Sequence, residues 1–398
     1  MKPKVLVGLS GGVDSSVAAL LLKEQGYDVE AVFMINWKDS SVILSGECSW
    51  EEDLLVARLV ARQLDIPLHV VDTSEQYMNK VVEYMFSEYR LGRTPNPDVL
   101  CNREIKFDVF MKTAGELGAG LFATGHYCRK DTISKQGSAV HRLLAGKDPS
   151  KDQSYFLCQL TQGQLAEALF PVGHLLKKEV RRMASDAGLP SSDRKDSQGI
   201  CFVGKVHLPT FLQQRLEPLK GDIEEIPAEK VPIMLLPSPF PSDPSEQLLE
   251  ELSTPPRFTL ESGRVIGIHM GAHYFTIGQR KGMKVGGTKE PLFVIATDIP
   301  HNILFVGQGK NHPGLFRKGL LIRKEDIHWM RPDMTMREGE SRAYWVRIRY
   351  RQDLQPARLF LRSKGMYILF EDLQRGITPG QFAVWYDGDE LLGSGVIS

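Results

Sequence analysis

Lys4-Val5-Leu6-Val7-Gly8-Leu9-Ser10-Gly11-Gly12-Val13-Asp14-Ser15-Ser16-Val17-Ala18-Ala19 opens the chain and decides its fold. The apolar run at residues 4–9 predicts a buried strand. Residues 16–24, Ser-Val-Ala-Ala-Leu-Leu-Leu-Lys-Glu, predict a helix closed by Gly26. Between them stands a tight glycine turn at a helix N-terminus. Its Gly11 and Gly12 N–H groups can face an anion with no side chain in the way. The helix adds unpaired donors and the positive end of its dipole. No lysine follows until Lys23, two turns into the helix, so this is not the G-x-x-x-x-G-K-[ST] loop. The G-x-G-x-x-G dinucleotide fingerprint is absent too.

Outward from this turn, strand and helix alternate. Strands are predicted at residues 29–35, 68–72 and 121–127, and helices near 50–64, 75–89 and 105–117. That alternation makes a parallel sheet with helices on both faces, whose ligands sit beyond the carboxyl ends of the strands. Met34, Gly125 and His126 fall at those ends, beside the phosphate turn. His126 read alone is equally a packed or capping histidine.

The 398 residues suit two or three domains, and the formal net charge of zero leaves no global field to attract nucleic acid. No apolar run approaches the roughly 20 residues that span a bilayer. Met1-Lys2-Pro3-Lys4 enters the first strand at once, leaving no room for a signal or transit peptide. The five cysteines, Cys48, Cys101, Cys128, Cys158 and Cys201, lack C-x-x-C spacing, which fits a reducing cytosol rather than a disulfide scaffold or zinc ribbon.

Two further stretches carry candidate chemistry. In Thr94-Pro95-Asn96-Pro97-Asp98-Val99-Leu100-Cys101-Asn102-Arg103-Glu104-Ile105-Lys106-Phe107, two prolines stiffen the chain around Asn96. Asp98 and Cys101 follow near a helix start, with Arg103 and Lys106 close by. That setting lowers a thiol pKa, although a cysteine is more often a small buried apolar residue. In Lys195-Asp196-Ser197-Gln198-Gly199-Ile200-Cys201-Phe202, Cys201 follows a polar turn and reads alone as an edge-of-core residue. Residues 10–15, Ser-Gly-Gly-Val-Asp-Ser, resemble the pyrophosphate loop of the ATP pyrophosphatases, and beside such a loop two thiols acquire a joint reading: an activated oxygen exchanged for sulfur. Cys48, Cys128 and Cys158 read as structural.

Residues 10–15, 94–107, 123–127, 151–156, 196–202, 278–282 and 378–381 occur in an order that resembles the bacterial tRNA 2-thiouridylases, within the ATP pyrophosphatases. The resemblance runs nearly end to end, apart from an acidic, proline-rich insertion. It implies a Rossmann-like α/β domain at 1–205, a small central domain at 206–308 with the insertion at about 221–262, and a C-terminal β-barrel at 309–398 that binds tRNA. It implies that Gly8, Leu9, Ser10, Gly11, Gly12, Val13, Asp14 and Ser15 hold ATP phosphates, with Mg2+ accompanying the nucleotide and Met34 and Gly125 near the adenosine. Cys201 would receive a persulfide sulfur from a donor protein. Cys101 would be its nucleophilic partner, able to form a disulfide with it. Asn96, Pro97 and Asp98 would meet the wobble uridine of the anticodon region, with Asp98 as an acid–base group. Lys151, Asp152, Gln153, His126, Arg349, Tyr350 and Gln381 would contact the tRNA. Whether the cysteines act as bare thiols or hold an iron–sulfur cluster stays open. Cys101, Cys201 and Asp98 offer three ligands, without four-cysteine spacing.

The remaining signals are compositional. Residues 221–256 hold eight prolines, eight acidic residues and one basic residue, Lys230, which predicts a loop with little core. Residues 337–364 hold eight basic and three acidic residues interleaved with Tyr344, Trp345 and Tyr350, which suits either RNA contact or an ordinary strand with a wet face. Lys151-Asp152-Gln153 read alone is a solvated turn. Two rival functions stand beside thiolation. An ATP-dependent ligase of the same loop class leaves the cysteine pair unexplained, and a nucleotide-gated RNA-binding protein leaves Asp98, Cys101 and Cys201 idle.

Overall fold

The computed structural model describes residues 2–38, 50–195, 208–232, 237, 240–259 and 262–398. Its first sheet is parallel. Strands β1 (Lys4–Gly8), β2 (Asp28–Ile35), β3 (Leu68–Asp72) and β4 (Leu121–Ala123), with the short Ala168–Leu169, are arranged in the order β3-β2-β1-β4 and then 168–169. Successive side chains of a strand face opposite ways. Val5 and Val7 accordingly enter one core with Val17 and Ala57, while Leu6 enters another with Phe107, Phe110 and Phe122. Both faces are covered, which is why β1 reads as unbroken apolar sequence.

Strand order reverses at β1, between β2 on one side and β4 on the other. In open parallel sheets such a reversal opens a crevice at the carboxyl ends. The glycine turn leaves β1 there, and Gly125 and His126 follow β4 there. Helix α1 spans Val13–Glu24, three residues earlier than predicted, because Gly12 takes the extended conformation of an N-cap (φ −85°, ψ 165°). Asp14 and Ser15 therefore stand in its first turn. Strand β4 is shorter than predicted and ends at Ala123. Helix also begins earlier than predicted in the second stretch. Asn96 caps Pro97–Cys101 by accepting from the Val99 N–H at 3.3 Å, with Pro97 at the first helical position. The helix runs on through a π-helical stretch, Asn102–Val109, to Phe110–Glu116.

A second sheet orders Leu292–Asp298, Ile303–Gln308, Gly221–Glu225 and Arg264–His269. The insertion thus supplies an inner strand, with Ile223 fully buried, and is not the coreless loop its composition predicted. It also supplies helix Glu246–Ser253, capped by Ser245 and burying Leu249 and Leu252 against Phe360, Tyr367 and Leu369. Two features hid this. Glu224 and Glu225 count as acidic yet are buried, Glu225 being answered by Arg264 and Gln308. Acids near the helix meet a basic hairpin: Asp243, ahead of the helix, pairs with Arg362, and Glu250 on the helix with Lys364 at 2.6 Å.

The third sheet is antiparallel and nine-stranded, wrapped around Trp385, Val346, Ile368 and Leu359. Two of its strands, Cys128–Lys135 and Ser138–Ala145, come from the first half of the chain. They join through Leu143 opposite Leu391. No helix among the described residues is long and apolar enough to cross a membrane.

Candidate functional site

Two glycines let the chain close around the turn after β1. Gly11 has φ +76°, and a Cβ there would stand 2.4 Å from the Asp53 carbonyl oxygen of the helix Trp50–Gln63. A Cβ on Gly125 would stand 2.7 Å from the Ser15 nitrogen. Inside the turn the Ser10 N–H donates to Ser15 Oγ at 3.2 Å, and the Ser15 and Ser16 hydroxyls donate to the Gly12 carbonyl at 3.2 and 2.8 Å. No side chain caps α1, so its leading N–H groups face the crevice.

The lysine missing from the local sequence arrives through the fold. Lys177 Nζ donates to Asp14 Oδ1 and Oδ2 at 2.7 and 2.9 Å, across 163 residues. Tyr127 Oη donates to the same carboxylate at 2.7 Å. Lys177 opens the helix Lys177–Asp186, where the Leu176 N–H donates to Glu179 Oε2 and the Lys177 N–H to Asp148 Oδ2. The sequence reading placed no helix there, and nothing local says which lysine reaches the turn. Met34 lies at the end of β2, half-buried, its carbonyl accepting from Asn36.

A second concavity, of about 530 Å³, lies where the three sheets' loops meet. Asn96, Asp98, Phe156, Arg349, Tyr350 and Gln381 line it, together with residues 276–279. Five predicted site residues are therefore brought together from positions far apart in the chain. Phe156 and the 276–279 loop were not singled out as site residues. The Phe156 and Tyr350 rings lie 4.2 Å apart between centroids, 35° from parallel. Arg349 is held by the Gly376 carbonyl at 2.6 Å, and Gln381 by the backbone of residues 94 and 95.

Other predicted tRNA contacts sit inside the protein. Asp152 is buried, pairs with Arg347 at 2.7 Å and accepts from the Gly146 and Ser154 N–H groups. It is not the solvated residue its local sequence suggests. Gln153 accepts from the Tyr127 N–H at 3.0 Å, while Lys151 stays half-exposed. His126 is buried, with Nδ1 2.8 Å from Thr124 Oγ1. Burial, and then the Lys106 charge, hold its pKa well below the usual value. Burial likewise lowers His269, His273, His312 and His328. Each of these bases takes up its proton at lower pH when folded than when unfolded, so unfolding gains protons below about pH 6.5. Their contribution to stability is complete above that pH and is lost as pH falls through it. A melting temperature that drops between pH 7.5 and 5.5, with a shallower drop in His126→Gln, is the expected result in a thermal scan.

Cys101 is fully buried, in a cluster with Leu100, Ile105, Phe211 and Tyr274. Asp98 stands one turn earlier on the same helix. Cys201, with residues 196–207, lies outside the described residues, as does Cys48. The flanking chain is placed. Arg194 pairs with Asp53, whose carbonyl backs Gly11, and Phe211 and Leu212 join the Cys101 cluster. Burial pushes the Cys128 thiol well up and that of Cys158 to about 12, which suits inert packing residues. Among the described residues no three His, Cys, Asp or Glu side chains are grouped to hold a metal ion.

Residues 3–205 match the family model described as tRNA methyl transferase HUP domain, residues 255–308 the tRNA methyl transferase PRC-barrel domain, and residues 320–397 the aminomethyltransferase beta-barrel domain. The chain is 55% identical over 395 residues to the tRNA-specific 2-thiouridylase MnmA of Christiangramia forsetii, covering 99% of this chain and 100% of that protein. Identity to the protein of the same name from Flavobacterium johnsoniae is also 55%, with the same coverage. To that of Halalkalibacterium halodurans it is 44%, covering 99% of this chain and 94% of that one. This chain belongs to the MnmA family of tRNA-specific 2-thiouridylases.

Proposed function

We propose that this protein forms 2-thiouridine at the wobble position of tRNA, in the cytoplasm, by adenylating the base and replacing its 2-oxygen with sulfur. The observation that supports this most is the placing of Asp98 and Cys101 on one helical turn, Asp98 lining a cavity wide enough for a nucleobase. The family-model description speaks of methyl transfer and the relatives' names of thiolation. Identity of 55% over nearly the whole chain favours thiolation, and so does a phosphate turn joined to two candidate thiols.

In this reading ATP lays its phosphates on residues 8–15, with Met34 and Gly125 beside the adenosine. The α1 N-terminus and the Lys177 ammonium stabilise the charge that gathers on pyrophosphate as it leaves. Mg2+ arriving with ATP needs few protein ligands, and Asp14 is the carboxylate at hand. The wobble uridine leaves its stack and enters the cavity against Tyr350 and Phe156, with Asn96, Pro97 and Asp98 at its edge. Its O2 attacks the α-phosphorus, and pyrophosphate departs. Asp98 handles the proton. A donor protein's persulfide loads Cys201. The Cys101 thiolate then attacks Cys201 Sγ and expels hydrosulfide, which adds to C2 as AMP leaves. The Cys101–Cys201 disulfide that remains is reduced by an external thiol. Because Phe211 packs in the Cys101 cluster, the thiol meets the base only when that packing opens. Lys151, Arg349 and Tyr350 meet the RNA. Asp152, Gln153 and His126 support that surface from beneath.

Nucleotide products test the reading. With unmodified tRNA and a sulfur source, AMP and pyrophosphate should accumulate together. ADP and phosphate in their place would exclude α–β cleavage.

A further inference from the structure

We propose that the loop at residues 278–289 is a phosphate-binding arm, which grips the RNA backbone beside the base that enters the cavity. The inference rests on the reading above, in which that cavity receives a base of tRNA.

The stretch Gly278-Gln279-Arg280-Lys281-Gly282-Met283-Lys284-Val285-Gly286-Gly287-Thr288-Lys289 holds four cations and no acid. Arg280, Lys281, Lys284 and Lys289 are all exposed, and among the described residues no carboxylate pairs with any of them. The basic segment at 337–364 differs. There Arg347 pairs with Asp152 at 2.7 Å, Arg342 with Glu340 at 2.7 Å and Lys364 with Glu250 at 2.6 Å, so much of its charge is answered within the protein. The loop is also held on both sides of Arg280 and Lys281. The Gly278 N–H donates to the Val294 carbonyl at 2.8 Å, and the Val294 N–H to the Gln279 carbonyl at 3.0 Å. Gln279 closes the turn with its side chain: Oε1 accepts from the Thr276 N–H at 3.1 Å and Nε2 donates to the Lys281 carbonyl at 2.8 Å. Beyond Gly282, at φ +100°, Met283 is buried with Ile223, Leu292 and Val294. The backbone that carries the two cations is thus fixed before a ligand arrives, and binding costs little loop ordering.

Position identifies the ligand. Thr276, Ile277, Gly278 and Gln279 line the cavity together with Arg349 and the exposed Arg351. A Cβ on Gly278 would stand 3.8 Å from Arg349 Nη2, so the loop adjoins that guanidinium. The one carboxylate in the cavity lining is Asp98. A base that leaves its stack keeps its sugar and phosphates, which stay at the mouth of the pocket it enters. At this mouth stand cations from two sheets, and Arg280 suits two-pronged contact with phosphate oxygens. An acidic protein surface would meet the same charges, but it gives no reason for a base-sized cavity beside them.

Salt dependence tests the arm. Affinity for unmodified tRNA and for an anticodon stem–loop RNA is measured over a salt series with the full chain, with Arg280→Gln combined with Lys281→Gln, and with Lys324→Gln. Lys324, an exposed barrel lysine paired with Glu338 at 2.9 Å, controls for the loss of any surface charge. The double variant should bind both RNAs about tenfold more weakly at about 0.1 M salt, and the slope of log Kd against log salt should flatten by about 1.5, as the loss of two phosphate contacts requires. Adding Lys284→Gln and Lys289→Gln should weaken binding further. With thiolation followed in parallel, the loss should lie in the KM for tRNA rather than in kcat. Wild-type affinity and slope in the double variant, or an equal loss in Lys324→Gln, would overturn the inference. So would unchanged RNA binding with slower loading of Cys201 by a persulfide-bearing protein, which would make the loop a protein-docking surface. A wild-type chain that binds tRNA but makes no thiolated nucleoside would overturn the reading above while leaving the measured grip on RNA intact.

Discussion

Lys177→Met should cut tRNA thiolation by about 10²–10³-fold while leaving tRNA affinity in place. Lys177 is the ammonium that the fold delivers to the phosphate turn, and its side chain is only 12% exposed. Methionine keeps most of its length and apolar stem but not its charge. In the resting protein the ammonium is held on Asp14, beside the first turn of α1, where arriving phosphates can share it. Without it, only backbone donors and the helix terminus remain to meet the charge that builds on departing pyrophosphate. Asp14 retains the Tyr127 hydroxyl and is one-third exposed, so a large change in melting temperature is not expected. Turnover of ATP to AMP, measured with saturating tRNA, checks the effect. Near wild-type turnover in Lys177→Met would remove this lysine from the reaction.

Cys101→Ala should abolish thiolation, a loss on the order of 10³-fold or more, while adenylation of the tRNA persists. Alanine removes the thiol without putting a new hydroxyl into the buried cluster. Cys101 has no exposed surface in the resting structure, and neither do Cys128 and Cys158. Alkylation followed by peptide mapping should therefore spare all three in the protein alone. With ATP and tRNA bound, Cys101 alone should become reactive. Equal labelling with and without substrates would contradict the opening of its cluster. Thiolation that survives in Cys101→Ala would remove it from sulfur transfer.

How much of this was visible in the chain depended on distance along it. The strand, glycine turn and helix at residues 4–24 are local, and each element agrees with its neighbours, so the sequence pattern was sufficient. The error of three residues at the start of α1 came from Gly12, which caps without a capping side chain. The start at Pro97 was hidden because a π-helical stretch at 102–109 disturbs the helical period. Asp152 looked solvated because its partner, Arg347, is 195 residues away. Lys177 was missed for the same reason. In the insertion, counting charges failed where Glu224 and Glu225 are buried and where Asp243 and Glu250 meet Arg362 and Lys364. The cavity, assembled from three regions of the chain, was legible only as separate strings.

The central claim is sulfur insertion driven by ATP. The full chain, incubated with ATP, a persulfide source and unmodified tRNA, is followed by digestion of the tRNA and mass spectrometry of its nucleosides, with AMP measured in the same reaction. The account predicts 2-thiouridine at the wobble position, AMP formed in step with it, and neither product when ATP is withheld. A methylated uridine, or ATP hydrolysis without any thiolated nucleoside, would contradict it.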